Sequence, residues 1–129
     1  MLNSGLSHYK SVSTLGQLDE ASPHRVTQVM LETLSTRVAE ARGHAQRGEV
    51  GPKGTAIGKA IGIVEGLVMS LDMRNGGEIA ANLEALYDYM SRTLLSANLT
   101  GDDDKLAEVA SLIDQIRTGW EGIASAPGA

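Results

Sequence analysis

The sequence predicts an all-α protein, an antiparallel four-helix up-down bundle with a mobile N-terminal arm. Apolar residues recur three or four positions apart through four stretches of similar length. Proline and glycine interrupt the chain between those stretches. No stretch alternates apolar and polar residues with the β-branched enrichment that is typical of strands. Helices of matched length joined by short connections pack antiparallel, because their apolar faces then cover one another along the whole bundle.

The boundaries follow from capping residues and helix breakers. Ser22 and Pro23 favour a helix start, since serine caps unpaired backbone N–H groups and proline has no N–H to leave unpaired. Gly48 to Gly51 interrupt the chain before Pro52, and Asn75-Gly76-Gly77 predict a tight turn. We therefore expect a flexible arm at 1–21, a bundle at 22–124 with helices at about 22–46, 52–73, 77–98 and 102–124, and a frayed tail at 125–129.

Composition excludes several classes of protein. The 129 residues suit one domain, and their 11 Lys+Arg against 16 Asp+Glu give a net charge of −5, so no nucleic-acid partner is expected. The absence of cysteine excludes disulfides, thiolate zinc sites and cysteine nucleophiles. No apolar run approaches the about 20 residues that span a bilayer, and no secretion signal is visible. We therefore expect a cytoplasmic protein without membrane insertion.

No residue pattern indicates an enzyme or a metal centre. Helical bundles that hold two irons use Glu-x-x-His pairs, because residues three apart point at the same ion. Here His24 follows Glu20 and His44 follows Glu40 at a spacing of four, and no histidine has a partner histidine at ligand spacing. The sequence also contains no nucleophile elbow or phosphate loop. We therefore expect no catalytic residue, no cofactor and no metal.

Glycine recurs every four residues along the second predicted helix. Each interior glycine destabilises a helix by about 0.8–1 kcal/mol relative to alanine, so the row lowers the stability of the second helix. One interpretation is that these are tolerated exposed small residues. The other is a surface without side chains, on which a partner segment docks. The row consists of Gly54, Gly58, Gly62 and Gly66.

Several large apolar residues lie off the main apolar stripes of their predicted helices. Singly they are ordinary, since much of any protein surface is apolar. Together they either pack in the core or beneath the N-terminal arm, or they form a patch that a partner helix fills. Both interpretations remain open for Ile63, Met69, Tyr87, Tyr89 and Leu95.

An ordered set of motifs leads into the third predicted helix and continues along it. The motifs are Ser70-Leu71-Asp72, Gly76-Gly77-Glu78-Ile79-Ala80, Asn82-Leu83 and Leu86-Tyr87-Asp88-Tyr89-Met90. Supporting matches extend from Ala21-Ser22-Pro23-His24 to Trp120, so nearly the whole chain is covered. This set closely resembles the signature of the FliS family, the flagellar chaperones for flagellin.

The resemblance implies a cytoplasmic, non-enzymatic export chaperone with a four-helix bundle. Family members bind the disordered C-terminal segment of flagellin, prevent its premature polymerisation and aid its delivery to the flagellar type III export apparatus. Tyr9 stands where the family carries an N-terminal tyrosine, with Leu6 in place of a neighbouring aliphatic residue, and this arm is implicated in engaging an export gate protein. The chain departs from the family's Met-Leu-aromatic-acid-Gly at Val29-Met30-Leu31-Glu32-Thr33.

The flagellin groove is expected mainly on the second helix, because that helix carries both the glycine row and a broad apolar face. Its expected residues are Ile57, Gly58, Ile61, Gly62, Ile63, Val64, Leu67 and Tyr87. The alternative function is a helical-bundle adaptor that docks a folded partner. An enzyme is a third reading, and it would require a bound cofactor or metal.

Overall fold

The structure is a computed structural model that describes residues 22–123. Those residues form four α-helices and no strand: α1 (Pro23–Gln46), α2 (Val50–Met69), α3 (Met73–Thr100) and α4 (Asp103–Ile123). The expected N-terminal arm and the expected tail lie outside the described residues.

The helices form a ring in which each one packs against its neighbours in the chain, and α4 closes the ring against α1. Neither diagonal pair, α1 with α3 or α2 with α4, reaches backbone contact between residues 22 and 123. Arg42 near the end of α1 meets Asp103 at the start of α4, while Trp120 near the end of α4 meets His24 at the start of α1. Because each contact joins the end of one helix to the start of the other, α1 and α4 run antiparallel. The predicted four-helix bundle is confirmed.

The core is built from aliphatic side chains at helical spacing. On α1, Leu31, Leu34, Val38 and Ala41 are fully buried, at intervals of three and four residues. Such residues share one face of a helix, so the face buries them together. The other helices contribute Ile57, Ala60, Val64, Leu67, Met90, Leu94, Ala97, Leu106, Val109 and Ile113.

The start of α1 depends on a serine cap. The Ser22 hydroxyl accepts a hydrogen bond from the Arg25 backbone N–H at 3.1 Å, and Pro23 occupies the first turn. The start of α2 differs from the expectation, since the helix begins at Val50 and not at Pro52. Proline is tolerated there because the first-turn N–H groups have no acceptor within a helix.

The link between α2 and α3 also differs from the expectation. The connection lies at Ser70 to Asp72, and α3 has already begun before Asn75. The Asp72 carboxylate accepts the Asn75 backbone N–H at 3.0 Å, which caps the helix and holds the pKa of Asp72 below its ordinary value. Gly77 then departs from helical geometry, with φ 53° and ψ −130°. The glycine pair therefore makes a kink within α3 and not a turn between helices.

A buried lysine joins the start of α2 to the end of α3. Lys53 donates from Nζ to the Asn98 carbonyl oxygen at 3.4 Å, although its side chain lies among the buried residues. The last carbonyls of a helix have no partner within the helix, so a cation there is favourable. Gly101, with φ 71°, ends α3 in the left-handed conformation just beyond this contact.

Candidate functional site

An apolar cleft opens at the end of the bundle where α1 and α3 begin and where α2 and α4 end. Its volume is about 520 Å³, and side chains from α1, α3 and α4 and from the link after α2 line it. Gly76, beside the kink of α3, also belongs to its wall. We call this space the end cleft. Its apolar residues include Pro23, Leu71, Ile79, Leu83, Trp120 and Ile123.

One wall of the end cleft is a pair of stacked rings. The His24 and Trp120 rings lie 4.8 Å apart between centroids and are inclined by only 6°. The Trp120 indole N–H donates to the His24 carbonyl oxygen at 2.9 Å, which fixes the two helix ends against each other. The His24 Nε2 atom is buried and has no hydrogen-bond partner among residues 22–123. This wall therefore combines two stacked ring faces with a buried ring nitrogen that has no partner among the described residues.

A second recess runs along the side of the bundle between α2 and α3. Its volume is about 750 Å³, and its α3 side carries the small residues Ala81 and Ala85, four positions apart. Small side chains at that spacing leave one strip of the helix surface low, which opens the recess. Met69 stands beside it with 85% of its surface exposed. We call this recess the flank groove, defined by Glu65, Val68, Met69, Ala81, Glu84, Ala85 and Asp88.

Tyr87 lies between these two recesses and contributes to the lining of both. Only 2% of its surface is exposed, and burial raises the pKa of its hydroxyl to about 12. The ring is therefore a neutral core group at physiological pH. The expectation that Tyr87 lies off the main stripe of its helix was wrong. It shares the core face with Ala80 and Leu94, since residues seven apart return to the same side of a helix.

The glycine row of α2 is open in its middle and enclosed at its ends. A Cβ atom added at Gly58 or Gly62 would meet nothing within 4 Å outside its own helix. A Cβ added at Gly66 would lie 2.8 Å from the Met30 methyl carbon, and one at Gly54 would lie 3.5 Å from the Asn98 amide oxygen. The middle of the row is therefore an exposed strip without side chains, and docking of a partner on it stays a prediction.

The structure divides the predicted groove residues into two groups. Ile57, Val64 and Leu67 are buried in the core together with Tyr87, as described above. The accessible group comprises Gly58 and Gly62, which are exposed, and Ile61 and Ile63, which are half-buried. In the closed bundle only this second group faces outward. Leu6 and Tyr9 of the predicted arm lie outside the described residues.

Other exposed apolar residues adjoin these surfaces. Met69, Tyr89 and Leu95 are exposed, as their off-stripe positions indicate, whereas Ile63 is half-buried. Val50 and Leu99, which no sequence pattern singled out, are 71% and 79% exposed. Ile79, which its spacing places on the apolar stripe of the third predicted helix, is nonetheless 65% exposed because it lies at the end cleft. A signal was present for Leu99, since it follows Leu95 by four residues and therefore shares its outward face.

The described residues offer no assembled metal site. Between residues 22 and 123, no three His, Asp or Glu side chains converge where they could hold an ion. His44, in the last turn of α1, contacts Glu49 of the link to α2 at 2.7 Å, at the opposite end of α1 from His24. None of the four helices is both long enough and apolar enough to cross a membrane.

Comparison with known proteins gives a consistent result. The family model described as flagellar protein FliS matches residues 5–127. The flagellar secretion chaperone FliSB of Pseudomonas aeruginosa is 42% identical over 118 residues, which cover 92% of this chain and 94% of that protein. The flagellar secretion chaperone FliS of Salmonella typhimurium is 40% identical over 121 residues, which cover 93% of this chain and 90% of that protein. The chain therefore belongs to the FliS family of flagellar secretion chaperones.

Proposed function

We propose that this protein is a cytoplasmic export chaperone that binds the disordered C-terminal segment of flagellin. Binding prevents premature polymerisation, and the complex is delivered to the flagellar type III export apparatus. The protein acts by binding alone, without catalysis. Family membership supports this proposal, and one structural observation carries it: two recesses with apolar linings, the end cleft and the flank groove, lie on either side of the buried Tyr87, one at the end of the bundle and one along its side.

The length of this surface suits a disordered client. Ordering a chain costs about 1–2 kcal/mol of backbone entropy per residue, so a chaperone must offer extended apolar contact to offset that cost. Beyond the kink at Gly77, α3 continues to Thr100 as 23 residues that extend about 35 Å at 1.5 Å per residue. Leu95 and Leu99 are exposed on the face of α3 that also carries Ala81 and Ala85, since residues 14 or 18 positions apart return to one side of a helix. A client helix in the flank groove therefore finds further apolar contact toward the end of α3.

We further propose that the client contacts the outward residues of α2. Gly58 and Gly62 leave the helix backbone uncovered, and Ile61 and Ile63 lie half-buried beside them. Ile57, Val64 and Leu67 support this face from the core and do not touch a client unless the bundle opens. A client helix therefore approaches the α2 backbone more closely at these glycines than at any larger residue.

Calorimetric titration with a peptide of the flagellin C-terminal region tests the proposal. We expect a 1:1 complex, a negative heat-capacity change and new helical circular dichroism, because apolar burial and folding of the peptide accompany binding. A Gly62→Leu variant serves as the comparison, since a Cβ atom at this position meets nothing within 4 Å outside its own helix. We expect it to bind the peptide more weakly, because the added side chain covers the exposed strip. Absence of binding to the wild type contradicts the proposal. Binding of a folded partner with little new helix favours the adaptor alternative.

A further inference from the structure

The flank groove combines an apolar floor with an acidic rim. Glu65 lies on its α2 side, and Glu84 and Asp88 lie four residues apart on its α3 side. Residues four apart on a helix share a face, so both α3 carboxylates border the same strip of surface. All three side chains belong to exposed residues. The recess is therefore bordered by carboxylates on both of its helices.

The charge of this rim is only partly balanced. Arg92 donates from Nε to the Asp88 carboxylate at 3.0 Å. Glu65 and Glu84 form no ion pair with any residue between 22 and 123. The whole chain carries a formal net charge of −5, which adds to the negative potential near the groove. A neutral or anionic segment gains nothing from this rim, whereas a cationic one does.

We propose that the flank groove selects client segments that fold as an amphipathic helix with Lys or Arg beside their apolar contact residues. This inference rests on the proposed chaperone function and adds a charge preference to it. The apolar face of such a helix lies on Val68, Ala81 and Ala85. Its cationic side chains lay their methylene stems along the walls and place their charges at Glu65 and Glu84. The exposed Met69 side chain adapts to different apolar residues because it is unbranched and flexible.

Two synthetic helical peptides test this preference. They share one apolar face and one length, and they carry either Lys or Glu at the positions that flank that face. We expect the Lys peptide to bind at least about tenfold more tightly and to lose affinity as salt is added, because the ion pairs are exposed and screened. In a protein labelled with ¹³C at the methionine methyl groups, the Met69 signal moves on binding. The fully buried Met90 in the core provides the reference signal.

A pair of double variants distinguishes the effect of the rim carboxylates from an effect of the protein's net charge. Glu65→Gln with Glu84→Gln removes two charges from the groove, whereas Asp104→Asn with Glu121→Gln removes two from exposed positions on α4. We expect the first double variant to weaken binding of the Lys peptide about three- to tenfold, as two exposed ion pairs allow, and the second to leave it within about twofold. Circular dichroism checks that both remain helical.

Equal affinities for the two peptides, equal weakening by the two double variants, or binding without movement of the Met69 signal would each overturn the inference. The result for flagellin separates this inference from the proposed function. A flagellin C-terminal peptide that binds both double variants as it binds the wild type removes the charge preference and leaves the chaperone function standing. Failure of that peptide to bind the wild type removes the chaperone function, even where the Lys peptide still binds at Met69.

Discussion

Two glycines of this bundle, Gly62 and Gly77, differ in whether their backbone conformation would accept a side chain. Gly62 lies inside α2, faces outward and has open space where a Cβ atom would stand. Gly77 lies inside α3 with φ 53° and ψ −130°, a conformation that L side chains rarely adopt. The same substitution therefore acts on a regular helix at one position and on a strained backbone at the other.

We expect Gly62→Ala to stabilise the protein by about 0.5–1 kcal/mol, because alanine restricts the unfolded chain and favours the helix. We expect Gly77→Ala to destabilise it by about 1–3 kcal/mol, because a side chain opposes positive φ. Urea unfolding of the two variants beside the wild type measures both free energies. A lower free energy of unfolding for Gly62→Ala would show that the exposed strip is covered in the free protein. An unchanged free energy of unfolding for Gly77→Ala would show that the backbone at the kink adopts another conformation without cost.

A forked ion pair joins two helix ends at the element scale. The Arg42 guanidinium donates from Nε and Nη2 to the two oxygens of Asp103, at 3.1 and 3.2 Å. Both side chains are about one-third exposed. The hydrogen bond from Arg42 holds the pKa of Asp103 below its ordinary value. A carboxyl group whose pKa is lowered by folding stabilises the protein above its unfolded pKa, and that stabilisation is lost as the pH falls.

We therefore expect Asp103→Asn to lower the free energy of unfolding at pH 7 by about 0.5–1 kcal/mol, within the range for a partly exposed pair. The difference between variant and wild type shrinks as the pH falls below about 4, since protonation removes the same charge from the wild type. Thermal unfolding across this pH range measures the effect. Asp88→Asn is the matched control, because its pair with Arg92 lies within one helix and is more exposed. A constant difference at all pH values would contradict the ionic explanation.

The elements also show how far the sequence predicts this structure. Apolar residues at intervals of three and four were sufficient for the bundle, because four amphipathic stripes have few other ways to be buried. The link between α2 and α3 was not predictable from local signals alone. Asn75-Gly76-Gly77 is a strong turn signal, yet Asp72 caps a helix that begins ahead of it, and Gly77 is absorbed as a kink. The turn signal at Asn75-Gly76-Gly77 and the helix cap at Asp72 predict different helix starts, and the cap determines where α3 begins.

The candidate site was less predictable than the fold. Periodicity along α2 shows that Ile57, Ile61 and Val64 share a broad face, but it does not show how much of that face the neighbouring helices cover. The structure buries Ile57 and Val64 between α1 and α3 and leaves Ile61 half-buried. The flank groove depends on side chains from two helices, so no pattern within one helix reveals it.

At the scale of the whole molecule, we propose that client binding and export depend on different parts of the chain. The end cleft and the flank groove both belong to the bundle, whereas the family resemblance implicates Leu6 and Tyr9, ahead of the bundle, in contact with an export gate protein. Ser22, where the described chain begins, lines the end cleft. Leu6 and Tyr9 precede Ser22 in the sequence, and we propose that they contact the gate while the bundle holds the client.

We expect Tyr9→Ala to impair export of flagellin more than it impairs flagellin binding. The dissociation constant for the flagellin peptide should change by less than about twofold, or about 0.4 kcal/mol, because the apolar surface of the bundle is unaltered. The amount of flagellin secreted by cells that carry the variant should fall by much more than twofold. Gly62→Leu provides the contrast, since it acts at the proposed client surface and should lower binding and export together. Equal losses of binding and export in Tyr9→Ala would place Tyr9 at the client surface and would remove its proposed role at the gate.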